Sequence, residues 1–191
     1  RAISYPKNRI LCLIIGDVPE EAVQFLKKDG FSIRIKTSFE EKYVPDAGII
    51  LLGDWEKIET EKLQRAVKLK TIGYLGNSKK QLSHKLCTQM GIVVFDNPKR
   101  PVSIAKKIAR FMNNGDTYKS ANFPHLQLPR VENSHRLIHI HKNVPGVMAK
   151  INQVFAQNKI NIVSQFLMTN AQIGYVITDI SVEYDKQLLK E

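Results

Sequence analysis

The segment over residues 135–181 constrains the fold of this chain most, because its hydrophobic period changes from two residues to that of a helix and back. Alternating side chains predict a strand, Pro145 follows where this strand must stop, and apolar residues at helical spacing come next. The order strand, helix, strand, hairpin, strand is the first part of a ferredoxin-like βαββαβ unit. The predicted elements are a strand over 137–141, a helix over 147–158, a strand over 160–167 and a strand over 174–181.

Two asparagines flank the predicted helix, with Asn143 just before it and Asn161 at the start of the next strand. Asparagine offers donors and an acceptor on one short side chain, and a helix N-terminus favours a carboxylate. The pair therefore fits a free amino acid. The alternative is that Asn143 simply caps the helix and Asn161 simply ends a turn. His139 and His141 share one strand face, but no third ligand follows at useful spacing, so no metal site is predicted.

These residues carry a resemblance to a known family. The motif HIHKNVPGV over 139–147, with Asn161-Ile162 and AQIGYV over 171–176, resembles the C-terminal regulatory ACT domain of bacterial D-3-phosphoglycerate dehydrogenases, which open serine biosynthesis. The resemblance implies that His141, Asn143 and Asn161 bind L-serine, a feedback inhibitor, between two ACT domains of a dimer. Other ACT domains bind other amino acids, so the choice of serine rests on the resemblance.

The first half of the chain alternates apolar runs with helical patterns, which is typical of a parallel sheet covered on both sides. Glycine or proline punctuates most of these elements, as Gly30, Gly91 and Pro101 do. Strands are predicted over 9–16, 31–36, 47–53, 71–76 and 92–95, and helices over 19–30, 60–69, 79–90 and 101–113.

This half resembles the substrate-binding domain of the same dehydrogenases, most closely in GIVVFDNP over 91–98. In the family, an NAD-binding domain follows this point, whereas here one helix runs directly into Asn114-Gly115-Asp116. None of the ten glycines forms the G-x-G-x-x-G motif of a dinucleotide site. The resemblance therefore implies a chain without the family's catalytic residues, and residues 53–57 (GDWEK) also lack the arginines that a phosphorylated substrate requires. No catalytic, cofactor-binding or metal-binding residue is predicted, and no cofactor is expected.

The predicted architecture is α/β, with a flavodoxin/Rossmann-like parallel-sheet domain followed by a ferredoxin-like ACT domain. We place the first domain at residues 1–115, a linker at 116–134 and an incomplete ACT domain at 135–191. Residues 185–191 begin the expected second ACT helix, and the closing strand does not follow. We therefore expect the strand over 137–141 to be an exposed edge.

The net charge of +11 raises the possibility of nucleic-acid binding. The lysines are scattered in pairs among acidic residues, however, and no zinc finger or RNP-like motif occurs, so solvated helix faces explain the charge better. Cys12 and Cys87 are too far apart for a C-x-x-C motif, which argues against a disulfide framework or zinc site. Without a long apolar run or a signal peptide, we expect a cytoplasmic protein that binds neither membrane nor nucleic acid.

The leading hypothesis is a non-catalytic, L-serine-binding regulatory homologue of the dehydrogenase that forms a homodimer through its ACT domain. An alternative is a subunit or fragment of an active, NAD-dependent phosphoglycerate dehydrogenase that works with a full-length chain. A third hypothesis is a folded remnant that binds no ligand, which the altered residues 53–57 and the short C-terminus favour.

Overall fold

The computed structural model describes residues 6–53, 58–97 and 99–181. The predictions for residues 54–57 and for the second ACT helix at 185–191 lie outside the described residues. In the described part of the chain, no helix is long and apolar enough to cross a membrane.

The first sheet has five parallel strands in the order β2-β1-β3-β4-β5, which is the flavodoxin-like order. This confirms the predicted parallel α/β architecture. All six residues of β3 are buried, because parallel strands flank it on both sides and helices cover the sheet. The strands are β1 (Leu11–Ile15), β2 (Ser32–Lys36), β3 (Ala47–Leu52), β4 (Thr71–Tyr74) and β5 (Val93–Asp96).

Among the described residues, three α-helices belong to this sheet: α1 (Glu20–Lys28), α2 (His84–Gln89) and α3 (Pro101–Asn114). The longest, α3, ends at Gly115, whose φ of +76° gives a left-handed cap. Its buried face crosses β4 closely, since a Cβ on Gly73 would lie 2.7 Å from Ile108 Cδ1. Glycine at this point in β4 therefore lets α3 pack directly against the sheet.

The helix predicted over residues 60–69 is wrong. The structure has a short 3-10 helix over Thr60–Arg65, closed by a bond of 2.8 Å from the Ala66 N–H to the Leu63 carbonyl. Ala66 has a ψ of 57°, outside the helical region, so the chain turns away there. An α-helix over residues 60–69 would place Val67 beside Leu63 on its buried side, whereas Val67 is 63% exposed.

The helix predicted over residues 79–90 is divided. A 3-10 turn over Ser78–Lys80 comes first, and α2 begins only after Ser83. The Ser83 hydroxyl accepts a 3.3 Å bond from the Leu86 N–H and caps α2. A serine cap favours a new helix start at that position, which explains the interruption.

The second sheet is antiparallel, with strand order β6-β8-β7. Along the sequence, a helix lies between β6 and β7. This matches the strand, helix, strand, strand order predicted for an ACT unit. The central strand β8 is buried almost throughout, whereas β6 and β7 are the edges of this sheet among the described residues. The elements are β6 (Ser134–Lys142), α4 (Val147–Gln157), β7 (Ile162–Thr169) and β8 (Ile173–Ser181).

The two faces of the second sheet pack against different parts of the molecule. On one face, Ile180 packs with Phe155 of α4. On the other face, Tyr175 and Ile177 join the core cluster that includes α3. The Tyr175 hydroxyl donates a 2.7 Å bond to the carbonyl of Gly115. The second sheet is therefore attached to the C-terminal end of α3 by apolar contacts and a buried hydrogen bond.

The segment between α3 and β6 follows the surface of the first sheet closely. The Asn122 Oδ1 accepts a 2.8 Å bond from the Val94 N–H in β5, and Phe123 is buried beside Tyr175 with a ring separation of 5.7 Å. This segment is ordered by specific contacts. The domain boundaries at 115/116 and 134/135 stay a prediction.

Candidate functional site

His141 lies near the end of β6, directly opposite Gly174 in β8. Its ring occupies the space that a side chain on residue 174 would fill. The ring Nδ1 lies 2.7 Å from the Lys142 carbonyl, which can only accept, so Nδ1 carries the proton. In the neutral ring, Nε2 is then an acceptor, and it is buried with no partner among the described residues. This nitrogen lies against Gly174 and receives no hydrogen bond from the described residues.

Asn143 follows β6 and joins two loops at the same end of the sheet. Its Nδ2 donates a 2.8 Å bond to the Asn170 carbonyl, and its backbone N–H donates a 3.1 Å bond to the Gln172 carbonyl. Asn170 Oδ1 in turn accepts from the N–H groups of Gln172 and Ile173, both at 2.9 Å. These bonds fix the exposed Asn143 side chain beside the turn between β7 and β8.

The N-terminus of α4 lies in the loop that starts with Asn143. Its N-cap is Gly146, with a φ of +86° and no side-chain hydrogen bond to the helix. The alternative that Asn143 caps this helix is therefore wrong, because its side chain bonds to Asn170 instead. A helix start without a side-chain cap keeps N–H groups available for an anion.

Asn161 lies at the other end of the sheet, immediately before β7. It is exposed, and its backbone carbonyl accepts a 3.0 Å bond from the Ser181 N–H. Gly174 pairs with His141, whereas Ile180 pairs with Ile162, so six steps along β8 separate the two ends. At roughly 3.4 Å per residue, this distance is about 20 Å. Within one chain, the structure brings His141 and Asn143 to one end but does not bring Asn161 to them.

Gly174 and Asn170 also position the site, and neither residue was predicted to have this role. The pairing of Gly174 with His141 depends on the hairpin register, and Asn170 resembles any turn residue. His139 lies beside His141, with 5.7 Å between ring centroids. Burial and the neighbouring His141 lower the pKa of His139, so its ring stays neutral over a wider range. In the described part of the chain, no group of three His, Cys, Asp or Glu side chains could hold a metal.

The outer edge of β7 exposes apolar side chains. β7 pairs only with β8 among the described residues, so its other edge keeps unpaired backbone groups. Exposed apolar residues along an unpaired edge are typical of a surface that pairs with another chain. These side chains are between 40% and 47% exposed: Val163, Phe166, Leu167 and Met168.

Comparisons with known proteins identify an ACT region in the second half of the chain. The family model described as the AHAS small subunit-like ACT domain matches residues 137–191. D-3-phosphoglycerate dehydrogenase of Haemophilus influenzae is 42% identical over 86 residues, which are 45% of this chain and 21% of that protein. The chain is homologous to D-3-phosphoglycerate dehydrogenase over its ACT region. The Escherichia coli K12 enzyme is 42% identical over 84 residues, or 44% of this chain and 20% of that protein.

The chain spans about a fifth of the length of these curated relatives. A crystal structure of NAD⁺-bound 3-phosphoglycerate dehydrogenase from Entamoeba histolytica aligns with a TM-score of 0.40 and 20% identity, covering 46% of this chain and 31% of that one.

Proposed function

We propose that this chain is a non-catalytic regulatory homologue of D-3-phosphoglycerate dehydrogenase that binds L-serine at an ACT–ACT interface of a homodimer. The observation that carries the proposal is the buried, unpartnered Nε2 of His141 beside Asn143. A buried acceptor without a partner is costly, so it favours a ligand that supplies the donor. The sequence similarity to the dehydrogenase over the ACT region supports serine as this ligand.

The position of Asn161 supports a site that two chains share. In a two-fold dimer, each edge strand β7 would lie antiparallel to its copy, so the start of one would face the end of the other. Asn161 stands just before β7, and Asn170, which holds Asn143, stands just after it. Such pairing would place the partner subunit's Asn161 near Asn143 twice per dimer. The exposed apolar side chains of β7 would be covered in the same interface.

The groups at this interface suit the parts of a serine molecule. The N–H groups at the start of α4 and the asparagine amides can donate to the carboxylate. The amide oxygens accept from the ammonium, and His141 Nε2 accepts from the ammonium or the hydroxyl. Both charged ends of the amino acid are thereby paired, as a partly buried zwitterion requires.

The alternative is a chain that associates with a full-length dehydrogenase and modulates it. The homology to that enzyme favours this hypothesis as well, because the same β7 edge could pair with the ACT domain of the longer chain. Co-purification with an NAD-dependent dehydrogenase activity would separate the alternative from the homodimer.

Calorimetric titration of L-serine into the purified chain tests the proposal, with D-serine as the comparison ligand. We expect saturable binding of L-serine that Asn161→Ala abolishes. Asn113→Ala, on the surface of α3, is the matched control and should bind as the unmodified chain does. Absence of saturable binding by the unmodified chain, or equal binding by Asn161→Ala, would overturn the proposal.

A further inference from the structure

A cavity lies where the end of α3 meets the segment that leads to β6. It has a volume of about 550 Å³, and its lining includes Arg110, Asp116, His125 and Arg130. This size is within the range of small-molecule sites. Arg136, which bonds to the cavity wall, is five residues along β6 from His141, or roughly 17 Å. The cavity is thus separate from the serine site proposed above.

Asp116 is the buried acceptor of this cavity. Its side chain is 6% exposed, and its Oδ2 accepts a 3.1 Å bond from Arg110 Nε. Its Oδ1 is buried and has no partner among the described residues. A carboxylate oxygen without a hydrogen bond in a buried place is unfavourable, so the cavity favours a donor group, above all a cationic one.

Arg110 and Arg130 supply the opposite charge. Arg110 uses Nε for Asp116, its side chain is 53% exposed, and a guanidinium carries five donor hydrogens. Arg130 is exposed and lines the same cavity. A guanidinium fork matches a phosphate or a carboxylate. The rings of Tyr118 and His125, 6.0 Å apart, form part of the wall.

We propose that this cavity binds a small zwitterion whose ammonium group bonds to Asp116 Oδ1 and whose phosphate or carboxylate bonds to Arg110 and Arg130. The wall of the cavity is also joined to the second sheet. Arg136 of β6 donates to the carbonyls of Asn114 at 3.2 Å and Pro129 at 2.7 Å. A ligand in this cavity would therefore contact the segment that β6 holds in place, as a second effector of the ACT sheet.

Calorimetric titration of the full chain with O-phosphoethanolamine tests this proposal, because that molecule carries an ammonium and a phosphate but no α-carboxylate for the serine site. We expect saturable binding. Ethyl phosphate lacks the ammonium and ethanolamine lacks the phosphate. Each should bind at least about tenfold more weakly than phosphoethanolamine. β-Alanine carries a carboxylate in place of the phosphate. Whichever of β-alanine and phosphoethanolamine binds more tightly shows which acidic group Arg110 and Arg130 prefer.

Two variants assign the binding to the cavity. Asp116→Asn should weaken binding of phosphoethanolamine about tenfold, because the ammonium loses its counter-charge. It should weaken ethyl phosphate less, because the amide oxygen that replaces the carboxylate can still accept the bond from Arg110 Nε. Arg130→Gln should weaken both, and Arg34→Gln, an exposed arginine on β2, is the matched control that should weaken neither. No saturable binding of either zwitterion would overturn the proposal, and so would a phosphoethanolamine affinity in Asp116→Asn and Arg130→Gln equal to that of the unmodified chain. L-serine binding should persist in both variants, which separates this result from failure of the serine site.

Discussion

Arg136 of β6 and Asp179 of β8 form a bidentate ion pair in the interior of the protein. Arg136 Nε lies 2.8 Å from Asp179 Oδ1 and its second guanidinium nitrogen lies 2.8 Å from Oδ2, with side chains that are 8% and 0% exposed. Ser164 of β7 donates a further 2.8 Å bond to Asp179. Because Arg136 also donates to backbone carbonyls beyond α3, this pair joins all three strands of the second sheet to the preceding segment.

Asp179→Ala should lower the free energy of unfolding by about 3–5 kcal/mol, because it leaves the Arg136 guanidinium buried without its counter-charge. Asp46→Ala removes the exposed ion pair with Lys68, whose side chains are 66% and 62% exposed, and should cost about 0.2–1 kcal/mol. Urea unfolding of the two variants measures both values. Equal losses would show that the buried pair contributes no more than a surface pair.

The same pair predicts a loss of stability in acid. Burial by itself raises the pKa of Asp179, but the hydrogen bonds from Arg136 and Ser164 and the nearby positive charges outweigh burial and hold it below its ordinary value. Between the ordinary pKa of about 3.9 and the lowered value, the unfolded chain binds more protons, so stability falls as the pH falls through this window. Asp179→Asn should be less stable at neutral pH and lose less stability on acidification. Urea midpoints of both proteins across this window test the prediction, and parallel curves would contradict it.

Gly174→Ala should displace the ring of His141, because a Cβ at residue 174 would collide with the ring atoms. The ring can rotate towards solvent, so we expect a loss of about 1 kcal/mol in unfolding free energy but a complete loss of L-serine binding. Calorimetry and thermal unfolding measure the two effects on one sample. Unchanged affinity would mean that the position of His141 is irrelevant to the ligand.

Phe166→Lys should weaken self-association about tenfold or more, because it places a charge in the β7 edge that we propose to be the dimer interface. Phe166 is 47% exposed in the single chain, so its replacement should change the stability of the monomer little. Ile35→Lys is the matched control, since Ile35 is 59% exposed on β2, the edge strand of the other sheet. Sedimentation equilibrium measures both, and an equal effect of the two variants would exclude β7 as the interface.

The spacing of apolar residues in the sequence predicted much of the fold. The alternation in β6 and β7 and the apolar runs of β1 and β3 predicted strands of both sheets, because each pattern is local. The 3-10 turn over Thr60–Arg65 was not predictable in this way, since its apolar spacing also fits an α-helix. Leu63 and Ala66 are buried in the core although the helix does not continue past them.

The candidate site was predicted in part, because only some of its residues belong to a local sequence pattern. His141 and Asn143 follow from a local motif, but the contact of Asn143 with Asn170 joins residues 27 positions apart. The bond between Tyr175 and Gly115 spans 60 positions and depends on how the second sheet docks on α3. Such contacts are set by tertiary packing, and no periodicity in the sequence signals them.

Subunit complementation between Asn143→Ala and Asn161→Ala tests the shared serine site most directly. Each variant alone should bind no L-serine, because every site in its dimer lacks one asparagine. After the two are mixed and exchanged, half of the dimers are mixed and each has one intact site, so binding should return to about a quarter of the unmodified capacity. The account predicts this recovery by calorimetry. Retained binding by either variant alone, or no recovery after subunit exchange, would contradict a site built from Asn143 of one chain and Asn161 of the other.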